Sequence, residues 1–197
     1  MHDRDVRAAL HRKVLKEHHG ESDTLVLDEL GIRHGAARVD VAVVNGELHG
    51  FEIKSDSDTL TRLAGQVSLY NEVFDRVTLV VGCRHLTKAE QAIPDWWGTR
   101  VVTEGSRGGI YFEETRKAKT NPAINPIALA ELLWRNEVVE ELVELGERGA
   151  ILRKPRAVLY QHLATVMELE DLRDTVRRRL KVRAGWRGQS APLLCVG

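Results

Sequence analysis

The amino-acid sequence predicts an α/β protein whose mixed β-sheet is followed by an α-helical C-terminal extension. Short β-rich runs alternate with helical apolar patterns in the first part of the chain. An Asn-Gly pair joins two of these runs, and no strand pattern follows Pro122. We therefore expect an α/β core over residues 1–118 and a helical extension over residues 119–197.

Composition excludes several classes of protein. The 197 residues include 29 basic and 29 acidic side chains, so net charge points to neither a nucleic acid nor a membrane as partner. No apolar run approaches the length of about 20 residues that spans a bilayer, and the N-terminus lacks the apolar region of a signal peptide. Cys83 and Cys195 have no CxxC spacing, and the histidines form no HExxH motif. These features predict a cytoplasmic protein without a membrane partner, a disulfide scaffold or a zinc-hydrolase site.

The first elements follow from apolar periodicity. Apolar residues at steps of four predict a helix over 5–18, before Gly20. The segment 24–30 reads as a strand. Two further strands, 37–44 and 48–54, are joined by Asn45-Gly46, which is a strong hairpin signal.

The middle of the chain predicts a crossover. A helix with Asp58 as its N-cap carries Leu60, Leu63 and Val67 on one stripe. The β-rich run 76–82 follows, then a short helix over 87–93 and two strands around a Gly-rich turn at 105–109. The resulting sheet has antiparallel first strands and a later strand reached through a crossover helix.

The C-terminal part predicts helices only. A polar linker with Pro122 and Pro126 leads into a helix over 127–145 that ends at Gly146. The segment 155–186 supplies either one long helix or two shorter ones.

Charged residues interrupt two strands that should fill a core. Alternation along a strand places Glu52 and Lys54 on one face, and Val39, Val41 and Val43 on the face opposite Asp40. Two converging carboxylates form a hard oxygen site of the kind that Mg²⁺ uses. A lysine beside them can orient a water or offset phosphate charge, so the combination suits phosphodiester hydrolysis.

The hairpin loop tests this interpretation. A strict two-residue loop would place Asp40 opposite Phe51 and on the wrong side from Glu52. We therefore predict an odd loop or a bulge, for example Val44-Asn45-Gly46 with Gly46 in the left-handed conformation. The alternative is a solvated sheet face with ordinary ion pairs.

The segment 27–82 resembles the PD-(D/E)xK nuclease superfamily, and is similar to a small bacterial branch of it. The resemblance rests on an acidic residue in the first strand, Asp40 in the second, Glu52-Ile53-Lys54 in the third, and then a helix with Gln66 and Tyr70. It implies a restriction-endonuclease-like αβββαβ core. Val39 stands where the proline of the family's name would be.

The resemblance also implies a role for each matching residue. Asp40, Glu52 and the main-chain carbonyl of Ile53 would bind Mg²⁺ or Mn²⁺, with Glu29 as a further ligand. Lys54 would orient the attacking water. Gln66 would steady the lysine or a phosphate, with Tyr70 beside it. Glu17 is a weaker candidate from the first helix, and Asp56 is interpreted as a loop residue.

Phosphate contacts are expected mainly from a basic C-terminal run that extends to Arg187. Its candidates are Arg177, Arg178 and Lys181, although the arginines could equally form the solvated face of a packed helix. Arg33, His34 and Arg62 are further candidates for substrate binding. The tryptophans Trp96, Trp97 and Trp134 are interpreted mainly as packing anchors, with base stacking as an alternative.

Together these features predict a metal-dependent deoxyribonuclease that binds DNA. A non-catalytic module for binding DNA or a partner protein and an RNA substrate are the alternatives, and formation of a homodimer stays open.

Overall fold

A computed structural model describes residues 2–183 and shows one six-stranded mixed sheet whose strand order follows the chain. The strands are β1 Leu25–Ile32, β2 Ala37–Val44, β3 Leu48–Lys54, β4 Arg76–Gly82, β5 Gly98–Glu104 and β6 Ile110–Arg116. The pairs β1–β2, β2–β3 and β5–β6 are antiparallel, and β3–β4 and β4–β5 are parallel. The predicted α/β class and mixed sheet are confirmed.

The helices follow the predicted order, with shifted ends. They are α1 Asp3–Lys13, α2 Leu63–Asn71, α3 Leu86–Ala92, α4 Pro126–Ala130, α5 Arg135–Glu144, α6 Arg156–Val166 and α7 Leu169–Val182. The crossover from β3 to β4 runs through α2, as the sequence predicts. Of the two alternatives for the last helical segment, the structure has two helices.

Two apolar clusters flank the sheet. The smaller cluster packs Val6 and Leu10 of α1 against Val41, Val43 and Phe51. The larger cluster joins the other face to α2 and to the C-terminal helices, whose buried members include Leu129, Leu142, Leu159, Leu172, Val176 and Leu180. The central strands β3 and β4 are therefore covered on both faces, as expected for strands this apolar.

The alternation of side chains between the two faces of the sheet breaks at Glu29 in β1 and at Asp40 in β2. Glu29 has a left-handed backbone with φ of 60°. Beyond it, Leu30 pairs with Val39, and both belong to the larger cluster, whereas Val41 lies in the smaller one. The prediction that Val39 shares a face with Val41 and Val43 is wrong, because the two-residue period of β2 is interrupted at Asp40, beside the left-handed Glu29 of β1.

The predicted continuous helix over 127–145 is also wrong. The chain leaves the helical conformation between α4 and α5, where Trp134 has φ of −73° and ψ of 153°. The backbone N–H of Trp134 donates to Oε2 of Glu137 at 2.7 Å. A capping contact of this kind begins a new helix and competes with continuation of the old one.

Within residues 2–183, no helix combines the length and apolarity needed to cross a membrane. Arg187 and Cys195, both named above, lie outside the described residues.

Candidate active site

The β2–β3 hairpin has the odd loop that the site requires. Val44 pairs with Leu48 and Val41 with Phe51, which leaves the three residues Asn45, Gly46 and Glu47 in the loop. The prediction that the loop has an odd number of residues is confirmed. The suggested loop composition is wrong, since Val44 remains paired and Gly46 is not left-handed. Continuing the observed register places Asp40 opposite Glu52.

Asp40 lies where β2 separates from β3. Beyond the Val41–Phe51 pair, the backbone N–H of Ile53 donates to Oδ2 of Asp40 at 2.7 Å. The carboxylate therefore takes up an amide hydrogen that would otherwise lack a partner at the end of the ladder. This contact holds Asp40 beside the Glu52–Lys54 segment.

Glu52 is 1% exposed, and neighbouring side chains form hydrogen bonds with both of its carboxylate oxygens. Its Oε1 accepts from Lys54 Nζ and from Gln66 Nε2, the latter at 2.5 Å. Its Oε2 lies 2.7 Å from the hydroxyl of Tyr70, which also lies 2.9 Å from the carbonyl oxygen of Arg38. Gln66 and Tyr70 are one helical turn apart on α2, so one face of this helix orients the buried carboxylate.

Burial and nearby charge raise the pKa values of two groups in the site. Burial, followed by the negative charge of Glu52, raises the pKa of Asp40 to about 7, although the Ile53 amide and Arg7 act in the opposite direction. Burial and the same glutamate raise the pKa of Tyr70 above its ordinary value. Tyr70 therefore stays a hydrogen-bond donor at neutral pH. The charged form of Asp40 is disfavoured, and a bound cation would stabilise it.

Sequence reasoning missed Arg7. From α1, its Nη2 lies 3.1 Å from Asp3 and 3.0 Å from Asp40, and its Nη1 lies 2.5 Å from Glu29. The second carboxylate oxygen of Glu29 lies 2.5 Å from Nε of Arg38. The Asp3-Arg7 spacing of four residues was the available signal, but it reveals only a local helix pair and not the two distant carboxylates.

An open cleft of about 950 Å³ borders these groups. Its walls carry the predicted residues Glu29, Asp40, Glu52, Ile53, Lys54, Gln66 and Arg62, together with Arg38 and Asp58. Asp58 is not the N-cap of α2, because that helix begins at Leu63. Its carboxylate instead accepts from the backbone N–H and hydroxyl of Ser55, at 2.7 and 2.6 Å, and closes the turn after β3.

The predicted basic contacts on α7 are not part of the cleft wall. Arg177 pairs with Asp174 and Asp75, Arg178 pairs with Glu141, and Lys181 pairs with Asp23. Carboxylates from other elements thus offset the local positive charge that the sequence suggests. Leu172, Val176 and Leu180 of the same helix are fully buried, so α7 packs on the core through its apolar face.

Two weaker candidates also lie apart from the cleft. Arg33 is 2.8 Å from Glu131 and 3.5 Å from Glu72. Glu17 is exposed in the turn after α1. Neither lines the cleft, whereas Arg62 does and has no ion-pair partner among residues 2–183.

Divalent-metal binding would depend on few donors. Within the described range, no three His, Cys, Asp or Glu side chains form a group that could hold a metal ion. The predicted donors that line the cleft are Asp40, Glu52 and Ile53. The carboxylate of Glu29, the predicted additional ligand, is held by two guanidinium groups.

The model of the bacteriophage P4 protein cII family matches residues 2–190, which is nearly the whole chain. The chain belongs to this family. Protein cII of Enterobacteria phage P4 is 27% identical over 125 residues, covering 64% of this chain and 47% of that protein. This cII-family chain therefore spans about half the length of the curated relative that it matches.

A solved structure also aligns with this cII-family chain. The SPO1766 protein of unknown function from Silicibacter pomeroyi aligns with a TM-score of 0.43 at 18% sequence identity. The alignment covers 72% of this chain and 88% of that one.

Proposed function

We propose that the protein is a metal-dependent nuclease of the PD-(D/E)xK type that hydrolyses phosphodiester bonds in DNA. The proposal depends above all on the three-residue hairpin loop, which brings Asp40 to the same side as Glu52 and Lys54 at the wall of an open cleft. The order α1, β1, β2, β3, α2, β4 supports a restriction-endonuclease-like core, since it follows the αβββαβ pattern.

The donor set fits Mg²⁺ or Mn²⁺. Mg²⁺ is usually held by one or two carboxylates and completes its octahedron with water and substrate oxygens. Asp40, Glu52 and the Ile53 carbonyl supply such hard oxygen donors. Burial, followed by the negative charge of Glu52, raises the pKa of Asp40, and a divalent cation would stabilise the charged form of this carboxyl group.

The residues of the chain would then divide the chemistry between them. When bound, the cation would act as a Lewis acid on the phosphate and the attacking water. Lys54, anchored by Glu52, would orient the water for in-line attack, and Gln66 and Tyr70 would hold Glu52 in place. Arg62 and Arg38, both on the cleft wall, would contact phosphate oxygens. The chemistry needs no covalent intermediate on the protein.

Cleavage of plasmid and single-stranded DNA with Mg²⁺ or Mn²⁺ tests this function. We expect Lys54→Ala and Asp40→Ala to lower the rate by about 100-fold or more, as loss of a positioned catalytic group does. Lys88→Ala is the matched control, because Lys88 is exposed on α3 outside the cleft. The same assay on RNA compares the two polymers. Absence of cleavage with every divalent cation, or equal rates in the Lys54 and Lys88 variants, would refute the proposal.

A specific observation favours one alternative function. Arg7 already pairs with Asp40 and Glu29, so a cation built into the protein occupies positions that a metal-dependent enzyme would leave to the metal. A non-catalytic module that binds DNA or a partner protein would have this arrangement. DNA binding that persists in both cleft variants without any cleavage by the wild type would support the binding module.

A further inference from the structure

A second cavity, of about 290 Å³, lies next to the cleft. It is formed by the end of β1, the turn after β1, the α4–α5 junction and α6, and its walls include His34, Trp134 and Arg156. Gly31 lines both this cavity and the cleft. The two spaces are therefore neighbours along the end of β1, and the second cavity is called the Trp134 cavity below.

Trp134 presents an aromatic surface to solvent. Its side chain is 49% exposed, whereas Trp97 is fully buried, so the interpretation of Trp134 as a packing anchor is wrong. The guanidinium carbon of Arg183 lies 4.5 Å from the centroid of the Trp134 ring. This cation–π contact fixes the ring on one side and leaves the exposed part available to a planar ligand.

Two further arginines line the same cavity as the Trp134 ring. Arg156 is exposed and forms no salt bridge with another described residue. Arg135 donates to the carbonyl oxygens of Leu152 and Lys154, at 3.2 and 3.3 Å, which leaves its charge without a carboxylate partner in residues 2–183.

The acidic residue of this cavity does not cancel that charge. Glu131, which lines the cavity, is 2.8 Å from Arg33 and 3.8 Å from His34. The ring of His34 lies 5.6 Å from the ring of Tyr160. The Trp134 cavity thus combines an exposed indole with two cations that lack carboxylate partners in the part of the chain that the structure describes.

We propose that the Trp134 cavity binds an unpaired nucleotide of a single-stranded nucleic acid whose backbone continues past Gly31 into the cleft. The base stacks on Trp134, and Arg156 and Arg135 contact the flanking phosphates. A base in a duplex is already stacked and paired, so single strands are the preferred ligands. The presence of a phosphodiester in the cleft rests on the proposed nuclease function, but binding at Trp134 is measurable without cleavage.

Fluorescence anisotropy with labelled DNA oligonucleotides of about 12 nucleotides, in EDTA, tests the proposal, since single-strand sites cover about 4 to 16 nucleotides. We expect Trp134→Ala to weaken binding of the single strand about tenfold, in line with the loss of one stacked base, and Trp134→Phe to retain most of the affinity. Arg156→Glu should also weaken binding and reduce its salt dependence. An RNA strand of the same sequence and a DNA duplex serve as comparison ligands.

Matched controls lie elsewhere on the surface. Tyr111→Ala removes another exposed aromatic, which is 59% exposed on β6, and Arg107→Glu reverses an exposed cation in the β5–β6 turn. Neither change should alter binding. Equal affinity in wild type and Trp134→Ala, or tighter binding of the duplex than of the single strand, would overturn the proposal.

Gly31 provides an independent test of the path between the two spaces. A Cβ atom added at Gly31 meets no atom within 4 Å, and its backbone is not left-handed, so Gly31→Val should fold normally. The valine would narrow the passage and weaken binding of the single strand severalfold, whereas Gly46→Val in the hairpin loop should not. Unchanged binding in Gly31→Val would contradict a continuous path.

The two proposals fail in different ways. Binding that depends on Trp134 without any cleavage would refute the nuclease and retain the nucleotide site. Cleavage that depends on Lys54, with single-strand binding unaffected by Trp134→Ala, would refute the nucleotide site and retain the nuclease.

Discussion

At the scale of single residues, Arg7 determines the charge balance of the cleft. One guanidinium group pairs with the carboxylates of Asp3, Glu29 and Asp40. Its side chain is only 20% exposed, so these pairs are screened less than surface pairs are. Removing this cation leaves Asp3 and Asp40 without their guanidinium partner, whereas Glu29 keeps its pair with Arg38.

We expect Arg7→Ala to lower the free energy of unfolding by about 1–3 kcal/mol, below the cost of breaking a fully buried pair, because the group is partly solvated. Urea denaturation measures the effect. Mg²⁺ should recover part of the loss in this variant, since a bound cation stabilises the folded state. Arg12→Ala, an exposed change on the same helix, is the control and should have little effect. An equal loss in both variants would contradict this role of Arg7.

The raised pKa of Asp40 predicts a pH dependence of the free energy of unfolding. Its pKa in the folded protein is about 7, above the value of about 3.9 in an unfolded chain. Between those values the folded state binds more protons at Asp40 than the unfolded state, so this group's contribution to the free energy of unfolding falls as pH rises. Asp40→Asn removes this titration. Relative to the wild type, the variant should therefore be more stable at pH above about 7 than at pH about 4.

The full shift corresponds to at most about 4 kcal/mol, and partial solvation of the carboxylate makes the expected gain smaller. Denaturation of wild type and Asp40→Asn across this pH range, in EDTA, measures the difference. Other titrating groups, such as His49, are common to both proteins and cancel in the comparison. A difference that stays constant with pH would contradict the raised pKa.

At the scale of elements, the β2–β3 hairpin loop sets the register of the candidate site. Deleting Gly46 would leave a two-residue loop and move Asp40 to the other side of its strand, because side chains alternate. We expect this deletion to abolish Mg²⁺-dependent cleavage and Mg²⁺-induced stabilisation. Gly46→Ala should retain both, since a Cβ atom there meets nothing within 4 Å and φ is not positive. Retained cleavage after the deletion would show that the loop does not set the site.

The strands and the central motif could be predicted because their signals are local. β-Branched runs, the Asn-Gly pair and the spacing from Asp40 to Lys54 identified β1 to β6 and the odd loop. The hydrogen bonds from Gln66 and Tyr70 to Glu52 were not predicted. The break between α4 and α5 could not be predicted, since apolar periodicity continues across it and a capping contact of Glu137 decides the outcome. Asp58 had the residue type and position of an N-cap but closes a different turn. The role of Arg7 depends on contacts with residues that are distant in the sequence. Such contacts cannot be deduced from a single sequence.

At the scale of the whole molecule, the C-terminal helices share one apolar cluster with the sheet. That cluster includes Leu27 and Val44 of the strands together with Leu129, Leu159 and Leu180 of the helices. Asp75 adds a polar connection, because it accepts from the N–H of Leu48 at 2.7 Å and pairs with Arg173 and Arg177 of α7. The helices thus cover a face of the sheet that would otherwise meet water.

We therefore expect residues 1–118, expressed alone, to lack cooperative unfolding, because the apolar face beneath α4 to α7 would be exposed. Thermal denaturation followed by circular dichroism, together with binding of a hydrophobic dye, would report this. Residues 1–183 form the matched control and should unfold cooperatively. A cooperative transition in the shorter fragment would show that the α/β core is stable without the helices.

The segment from β1 to β2 carries the three described non-glycine residues with positive φ, Glu29, Arg33 and His34. A left-handed conformation costs an ordinary residue roughly 1–2 kcal/mol, which glycine avoids. A redesign guided by stability alone would therefore place glycine or asparagine at these positions. It would also remove the glutamate of the cleft and the histidine of the Trp134 cavity, so stability and the proposed ligand binding favour different residues in this segment.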